Sequence, residues 1–129
     1  MKTLFQAIYA RYLATALGSS ALTGLYHVQA PPRAVFPYGT FDLIANTPDW
    51  TFTEEFENCL LQFSLFSNVM SDSTQICDLF ELLKTAFDKF DLVISGYTTI
   101  SCVREPANLT KVEDVWQYTV TYRMYLEKD

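Results

Sequence analysis

The spacing of apolar residues predicts two helices, one at the start of the chain and one over residues 76–90. Residues 4–17 carry the i, i+3/i+4 stripe of an amphipathic helix. Its apolar side chains are Leu4, Phe5, Ile8, Tyr9, Tyr12, Leu13, Ala16 and Leu17. The second stripe consists of Ile76, Leu79, Phe80, Leu83, Ala86, Phe87 and Phe90. Asp72, with Gln75 three residues later, fits a capping box at the start of this second helix, which we expect to cover one side of a sheet.

Alternation of apolar and polar residues predicts about four strands between and after these helices. They span residues 35–45, 56–67, 92–104 (interrupted by Gly96) and 115–128, and residues 25–28 form a candidate short extended piece. Residues 45–55 and 105–114 are expected to be loops. The order α-β-β-α-β-β predicts one α+β domain over residues 1–129. We expect a mixed, mainly antiparallel sheet of about four strands, with two helices packed on it.

The composition favours a globular chain with a substantial core. Hydrophobic residues make up 50% of the 129 residues and charged residues only 19%. The first twenty residues superficially resemble a signal peptide, but Gln6 and Arg11 interrupt the apolar stretch, so a helix is the expected structure. No apolar run reaches the length of a membrane span. Three cysteines without a C-x-x-C pair predict reduced core thiols in a cytosolic product.

Charge and motif content argue against two classes of function. The formal net charge is −6 and the basic residues are scattered singly, which disfavours tight or specific binding to nucleic acid. The one histidine, His27, has no evident catalytic partner, and the four glycines form no phosphate-binding pattern. We therefore expect no enzyme activity, no catalytic residues, no metal site and no cofactor.

Two features stand out beyond the core. Three of the five prolines, Pro31, Pro32 and Pro37, lie within seven residues just before the first predicted strand. Their fixed φ makes this segment stiff, which suits either an ordered arm at a subunit boundary or a rigid connection within a monomer. Trp50 and Phe52 lie together in a predicted loop, where either a covering element or another subunit could bury them.

The chain contains a helix of the type LFQAIYARYLATAL, then LTGLYHV, QAPP and FPYGTF, a helix containing DLFELLK, and a late strand ending in YRMY. In this series of motifs it resembles the tail-completion or tail-terminator proteins of long-tailed bacteriophages and gene transfer agents. The most specific part of the resemblance is Ala30-Pro31 a few residues ahead of Pro37-Tyr38. The resemblance implies a virion subunit that assembles, typically as six copies, into a ring. Such a ring caps the tail tube, ends its polymerisation and joins the head.

The resemblance also implies partners and surfaces. The partners are further copies of the chain, the tail tube protein and a head-tail connector, in a virion assembled in the bacterial cytoplasm without membrane contact, with DNA passing unbound through the lumen. The expected subunit interface comprises Pro31, Pro32, Arg33, Phe36, Pro37 and Tyr38. The expected tail-tube contact comprises Asp49, Trp50 and Phe52. The candidates for an acidic lumen, which would repel DNA, are Glu54, Glu55, Glu113 and Asp114.

Other functions stay open at this stage. A different ring of the phage neck has a similar small fold, and a small acidic module that inhibits a basic partner also suits the charge. An enzyme or ligand-binding domain requires a deep pocket with convergent polar groups.

Overall fold

The computed structural model describes residues 2–20, 22–51 and 53–129. These residues form two helices and six strands. In chain order they are α1 (Lys2–Ala14), β1 (Leu25–His27), β2 (Tyr38–Trp50), β3 (Glu55–Ser67), α2 (Thr74–Phe87), β4 (Tyr97–Arg104), β5 (Asn108–Val112) and β6 (Val115–Lys128). The α+β class is confirmed. The prediction of about four strands in the order α-β-β-α-β-β is wrong, because β1 and β5 join the sheet.

The sheet has the strand order β1-β2-β3-β6-β4, and β5 pairs with the first part of β6. β1 runs parallel to β2, and every other pair is antiparallel, which confirms a mixed, mainly antiparallel sheet. The long central strands β3 and β6 stay in register from Phe56↔Glu127 to Ser67↔Trp116. They form the rigid axis of the subunit.

The two predicted loops turn out to be strand pairs. Residues 45–50 continue β2 and pair with Glu55–Leu60, so the polar stretch is one arm of a long hairpin. Pro48 fits there because β1 pairs only with residues 39–41, which leaves the rest of β2 as an open edge within the described chain. Residues 108–112 pair with β6 across a turn at Glu113 and Asp114. Both turn residues have positive φ (50° and 65°), the geometry of a two-residue type I′ turn.

The core lies between the two helices and one face of the sheet. Alternate residues of β3 and β6 point into it, which is the period-2 pattern of a half-buried strand. The largest side chains that are fully buried include Tyr122, Phe63, Leu4, Ile8, Leu17, Leu61, Leu65, Ile76, Leu83, Met124 and Leu126. The second helix covers β3 and β6 as predicted, with Phe87 and Phe63 ring centroids 4.8 Å apart.

The capping box predicted for α2 is wrong. Ser73 is the N-cap residue, and no side chain closes the cap. Asp72 Oδ1 instead accepts a hydrogen bond from the Thr74 N–H at 3.0 Å. Gln75 Oε1 accepts one from Ser67 Oγ at 2.6 Å, which ties the start of α2 to the end of β3. A tertiary contact has therefore replaced the local one that the spacing indicated.

A polar cluster fixes the other end of α2. Asp88, the C-cap residue, accepts hydrogen bonds from the Tyr122 hydroxyl at 2.5 Å and from Arg104 Nε at 3.1 Å. Burial and the bond to Asp88 raise the pKa of Tyr122. α2 is thus attached to both β4 and β6.

The three cysteines are free thiols. Cys59 and Cys102 are buried, whereas Cys77 is half-buried.

Candidate assembly surfaces

The proline segment (residues 29–37) is fastened to the sheet at its C-terminal end. The Thr23 N–H donates to the Pro37 carbonyl at 2.9 Å, and the Thr23 hydroxyl shares its one hydrogen between the Pro37 carbonyl, at 3.0 Å, and the Val35 carbonyl. Pro37 is buried behind a cis Phe36–Pro37 bond, and the Phe36 and Tyr38 rings lie 5.1 Å apart. Half of the predicted interface is therefore taken up by contacts within the subunit.

The other half of the proline segment is exposed. Pro31, Pro32 and Arg33 face solvent, and the Ala34 N–H donates to the Pro31 carbonyl at 3.0 Å, which closes a turn. Val35 is 65% exposed. A turn with a closed hydrogen bond and apolar exposed side chains is a stiff projection available to a partner.

The β2–β3 hairpin tip (residues 50–55) projects from one end of the sheet. Trp50 is 71% exposed, so no element among the described residues covers it. The Thr51 N–H donates to the Glu54 carbonyl at 2.9 Å, and the Thr51 hydroxyl accepts from the Glu54 N–H at 3.1 Å. Phe52, the third residue predicted to contact the tail tube, lies outside the described residues. The hydrogen bonds between Thr51 and Glu54 close the tip beside an exposed indole ring.

Asp49 is less free than its neighbours at the tip. Its carboxylate Oδ2 accepts a hydrogen bond from the Tyr125 hydroxyl at 2.8 Å, on the face of the sheet away from the helices. The bond to Asp49 raises the pKa of Tyr125. The Tyr125 ring also stacks on Phe56 with 5.2 Å between centroids. Asp49 therefore braces the base of the hairpin.

The four lumen candidates are not brought together. Glu54 and Glu55 lie at the hairpin tip, beside the end of β6, where Lys128 Nζ is 3.6 Å from Glu55 Oε2. Glu113 and Asp114 form the β5–β6 turn, at the opposite end of the same central strands. Eleven residue steps along β3 separate the two ends, about 37 Å at 3.4 Å per residue. Both pairs are exposed.

The outer side of α1 is apolar, a feature that the prediction of an amphipathic helix missed. The helix buries Leu4, Ile8 and Tyr12, yet Leu13 is 58% and Tyr9 46% exposed on its other side. The remaining exposed residues of the helix are Lys2, Gln6, Ala10 and Ala14. A helix with apolar residues on all sides is normally buried on all sides. The apolar stripe that predicted one buried face therefore includes residues on two sides of the helix, one buried and one exposed.

A groove of about 630 Å³ joins α1 to the edge of the sheet. It runs between Tyr9 and Leu13 on the helix and residues 22–27 leading into β1. His27 lies at its rim and contacts two aromatic rings, Phe5 at 4.1 Å and Phe41 at 5.0 Å between ring centroids. The histidine thus serves as an aromatic contact between helix and sheet. We call the exposed surface of α1, β1 and the proline segment the α1–β1 face.

The charges of the chain are segregated between this face and the rest. The first 41 residues contain three basic residues (Lys2, Arg11 and Arg33) and no acidic ones. All fifteen acidic residues and the other six basic residues follow from Asp42 onwards. Arg11 is engaged within the subunit, since its Nε donates to the Ala86 carbonyl at 2.8 Å and its guanidinium lies 3.5 Å from the Phe90 ring centroid. This segregation was visible in the sequence and is the signal that could have located the face.

The opposite edge of the sheet is β4. Its paired side faces β6, and its other side carries no strand among the residues described. Ile100, at a β-bulge, and Val103 are both exposed there. The sheet thus has two unlike edges: on one side lie β1, next to α1 and the proline segment, and the open outer part of β2, and on the other side lies the open strand β4.

Across residues 2–20, 22–51 and 53–129, no group of three or more His, Cys, Asp or Glu side chains could hold a metal ion. Neither helix of the described chain is long and apolar enough to cross a membrane.

Comparison with known proteins finds a match among solved structures, and none among family models or curated proteins. No protein-family model and no curated protein matches the chain. Among solved structures, a chain of the virion of a native gene transfer agent (GTA) particle superposes with a TM-score of 0.77. The match covers 95% of this chain and 92% of that chain at 17% sequence identity. The two chains therefore share a fold over nearly their whole lengths.

Proposed function

We propose that this protein is a structural subunit of a phage or gene-transfer-agent virion, a tail terminator that assembles into a ring. The observation that carries the proposal is the shared fold with a chain of a GTA virion, at a TM-score of 0.77 over 95% of the chain. No catalysis is part of the function. Association does the work, as the ring caps the tail tube, ends its growth and provides a platform for the head-tail connector.

The two unlike edges of the sheet support a ring over a symmetric dimer. A ring closes when each subunit joins its neighbour through two different surfaces, whereas a twofold dimer uses one surface twice. The α1–β1 face presents exposed Lys2 and Arg33 together with apolar side chains of α1, whereas the β4 edge presents an open strand with exposed Ile100 and Val103. A stable interface of this kind buries at least about 1,000 Å². We expect six copies.

The surfaces along the long axis of the subunit suit contacts above and below the ring. The hairpin tip, with exposed Trp50, is the proposed contact with the tail tube protein. The acidic pairs Glu54–Glu55 and Glu113–Asp114 line a common lumen only when β3 and β6 run along the ring axis, because they lie at opposite ends of those strands. An acidic lumen would let DNA pass without binding.

The native mass of the purified protein tests the proposal. Light scattering over a concentration series, with negative-stain images of the same samples, should show rings near six times 14.8 kDa. If the protein is monomeric alone, rings should form on addition of purified tail tubes. A chain that stays monomeric in both conditions contradicts the ring.

The rival function is a small acidic module that binds a basic partner. It is favoured by the segregation of all fifteen acidic residues into one part of the chain. Such a module stays monomeric at every concentration, and its binding weakens as salt screens the charges. Native mass therefore separates the two functions. A ring that binds to connectors and not to tail tubes would indicate a different position in the neck.

A further inference from the structure

We propose that the α1–β1 face docks on the acidic part of a second copy of this chain, built from residues 42–129. The inference rests on the proposed ring and names one of its two contact surfaces. It also moves the interface from the proline segment alone to a surface centred on α1. The partner is another copy, because the chain itself carries the complement of this face.

Charge complementarity is the first argument. The first 41 residues carry a formal charge of +3 and no acidic residue, with Lys2 and Arg33 exposed on the α1–β1 face and Arg11 behind it, whereas residues 42–129 sum to −9. Pairing this face with itself would bring like charges together, which costs free energy in an interface of low dielectric constant. Docking on residues 42–129 of a neighbour joins opposite charges instead. The contact is therefore head to tail, the type that closes a ring.

Apolar exposure is the second argument. Tyr9 and Leu13 lie on the outer side of α1, next to the groove that the helix forms with β1. Exposed Ala10 and Ala14, each next to one of them in the helix, let another backbone approach closely. Tyrosine is enriched at the centres of interfaces, and contiguous exposed apolar surface is uncommon on monomers. Nothing in the described part of the subunit covers this side of the helix.

Rigidity is the third argument. Arg11 fixes α1 to α2 through the Ala86 carbonyl and the Phe90 ring, and Thr23 fixes the proline segment to the sheet. The face is thus held by contacts that lie behind it and loses little conformational entropy on docking. Lys2 and Arg33 remain exposed at its two ends and are free to meet carboxylates of the neighbour.

A charge reversal with a matched control tests the electrostatic part. K2E/R33E changes the face, and K89E/K111E makes the same change in net charge at exposed lysines of the acidic part, where added negative charge does not oppose a basic face. In light scattering, the concentration for half-assembly should rise at least tenfold for K2E/R33E and less than threefold for K89E/K111E. Wild-type assembly should also weaken with salt. Equal effects of the two pairs would overturn the proposal, because only net charge would then matter.

Two further variants test the apolar part and the polarity of the contact. L13Q should weaken assembly at least tenfold, whereas M70Q, at another exposed apolar residue, should leave it within threefold. Circular dichroism and thermal unfolding check that both variants fold. Under oxidation, L13C should give no disulfide-linked dimer beyond the wild-type background. A strong L13C–L13C crosslink would show that α1 faces α1 and would overturn head-to-tail docking.

The outcomes separate this inference from the function on which it rests. A wild-type protein that forms no ring, alone or on tail tubes, overturns the ring and the docking face together. Rings that persist with K2E/R33E and L13Q overturn only the docking face and leave the terminator proposal standing.

Discussion

Removal of a single hydroxyl at Tyr122 should lower the free energy of unfolding by about 1.5–2 kcal/mol. The Tyr122 ring is 1% exposed, and its hydroxyl donates to the Asp88 carboxylate at 2.5 Å. A hydrogen bond to a charged group contributes about 1.5–3 kcal/mol. The lower part of that range applies, because Asp88 keeps its ion pair with Arg104 and is one-third exposed to water. The Y122F variant keeps the ring and therefore leaves no cavity.

Truncation of the acceptor, Asp88, should lower the free energy of unfolding by more than Y122F does. In D88A the Tyr122 hydroxyl stays buried without its acceptor, which adds about 1–3 kcal/mol of unsatisfied desolvation to the lost bond. A double-mutant cycle of Y122F with D88A should give a coupling free energy of about 1–2 kcal/mol. Urea unfolding at fixed protein concentration, followed by tryptophan fluorescence and circular dichroism, measures each variant.

A second tyrosine provides the matched control. Tyr118 lies on the same face of β6 and stacks on Phe80 at 4.0 Å between ring centroids, with no hydrogen-bond partner for its hydroxyl among the described residues. Y118F should change stability by less than about 0.5 kcal/mol. If Y122F behaves like Y118F, or if the coupling with D88A is near zero, the cluster does not hold α2 to the sheet and the reasoning is refuted.

Three further predictions concern turns and buried thiols. Replacing Glu113-Asp114 with Asn-Gly should raise the free energy of unfolding by about 1 kcal/mol, because both residues have positive φ and Asn-Gly suits such a turn. Thermal unfolding measures the change, and a loss of stability would contradict the turn type. G96A should cost about 1 kcal/mol in the same assay, since Gly96 has a φ of 88° although nothing lies within 4 Å of an added Cβ. Burial raises the pKa of Cys59 to about 11 and of Cys102 to about 12 from an ordinary 9.0, so the unfolded chain loses these protons first. The contribution of each thiol is then complete below pH 9 and is lost between pH 9 and about 11 for Cys59 and between pH 9 and about 12 for Cys102, by up to about 1.4 kcal/mol per pH unit for each thiol. An unchanged slope in C59A/C102A would show that other groups cause the fall.

The proposed assembly surfaces were only partly predictable. The sequence pointed to the proline segment and to Trp50, because stiff and aromatic residues outside a core are unusual in any fold. Burial then divided the proline segment, since Thr23 binds the Pro37 carbonyl from a part of the chain fourteen residues away. The segregation of acidic residues after position 41 is a property of the sequence. That the first 41 residues gather on one side of the subunit is a property of the fold.

The apolar pattern by itself determined both helices, the α+β class and the positions of β3 and β6. These elements bury one face over thirteen or fourteen residues, so their periodicity is long enough to identify. Tertiary structure decided the rest. β5 is held by pairing with β6, and the distal arm of β2 is held by β3, although both stretches are polar. Backbone hydrogen bonds between paired strands do not depend on side-chain polarity. A neighbouring strand can therefore stabilise a strand that the local sequence pattern does not predict. The same limit applies to α1, whose apolar residues show that it has surfaces to bury, whereas only the folded subunit shows which of them remain exposed.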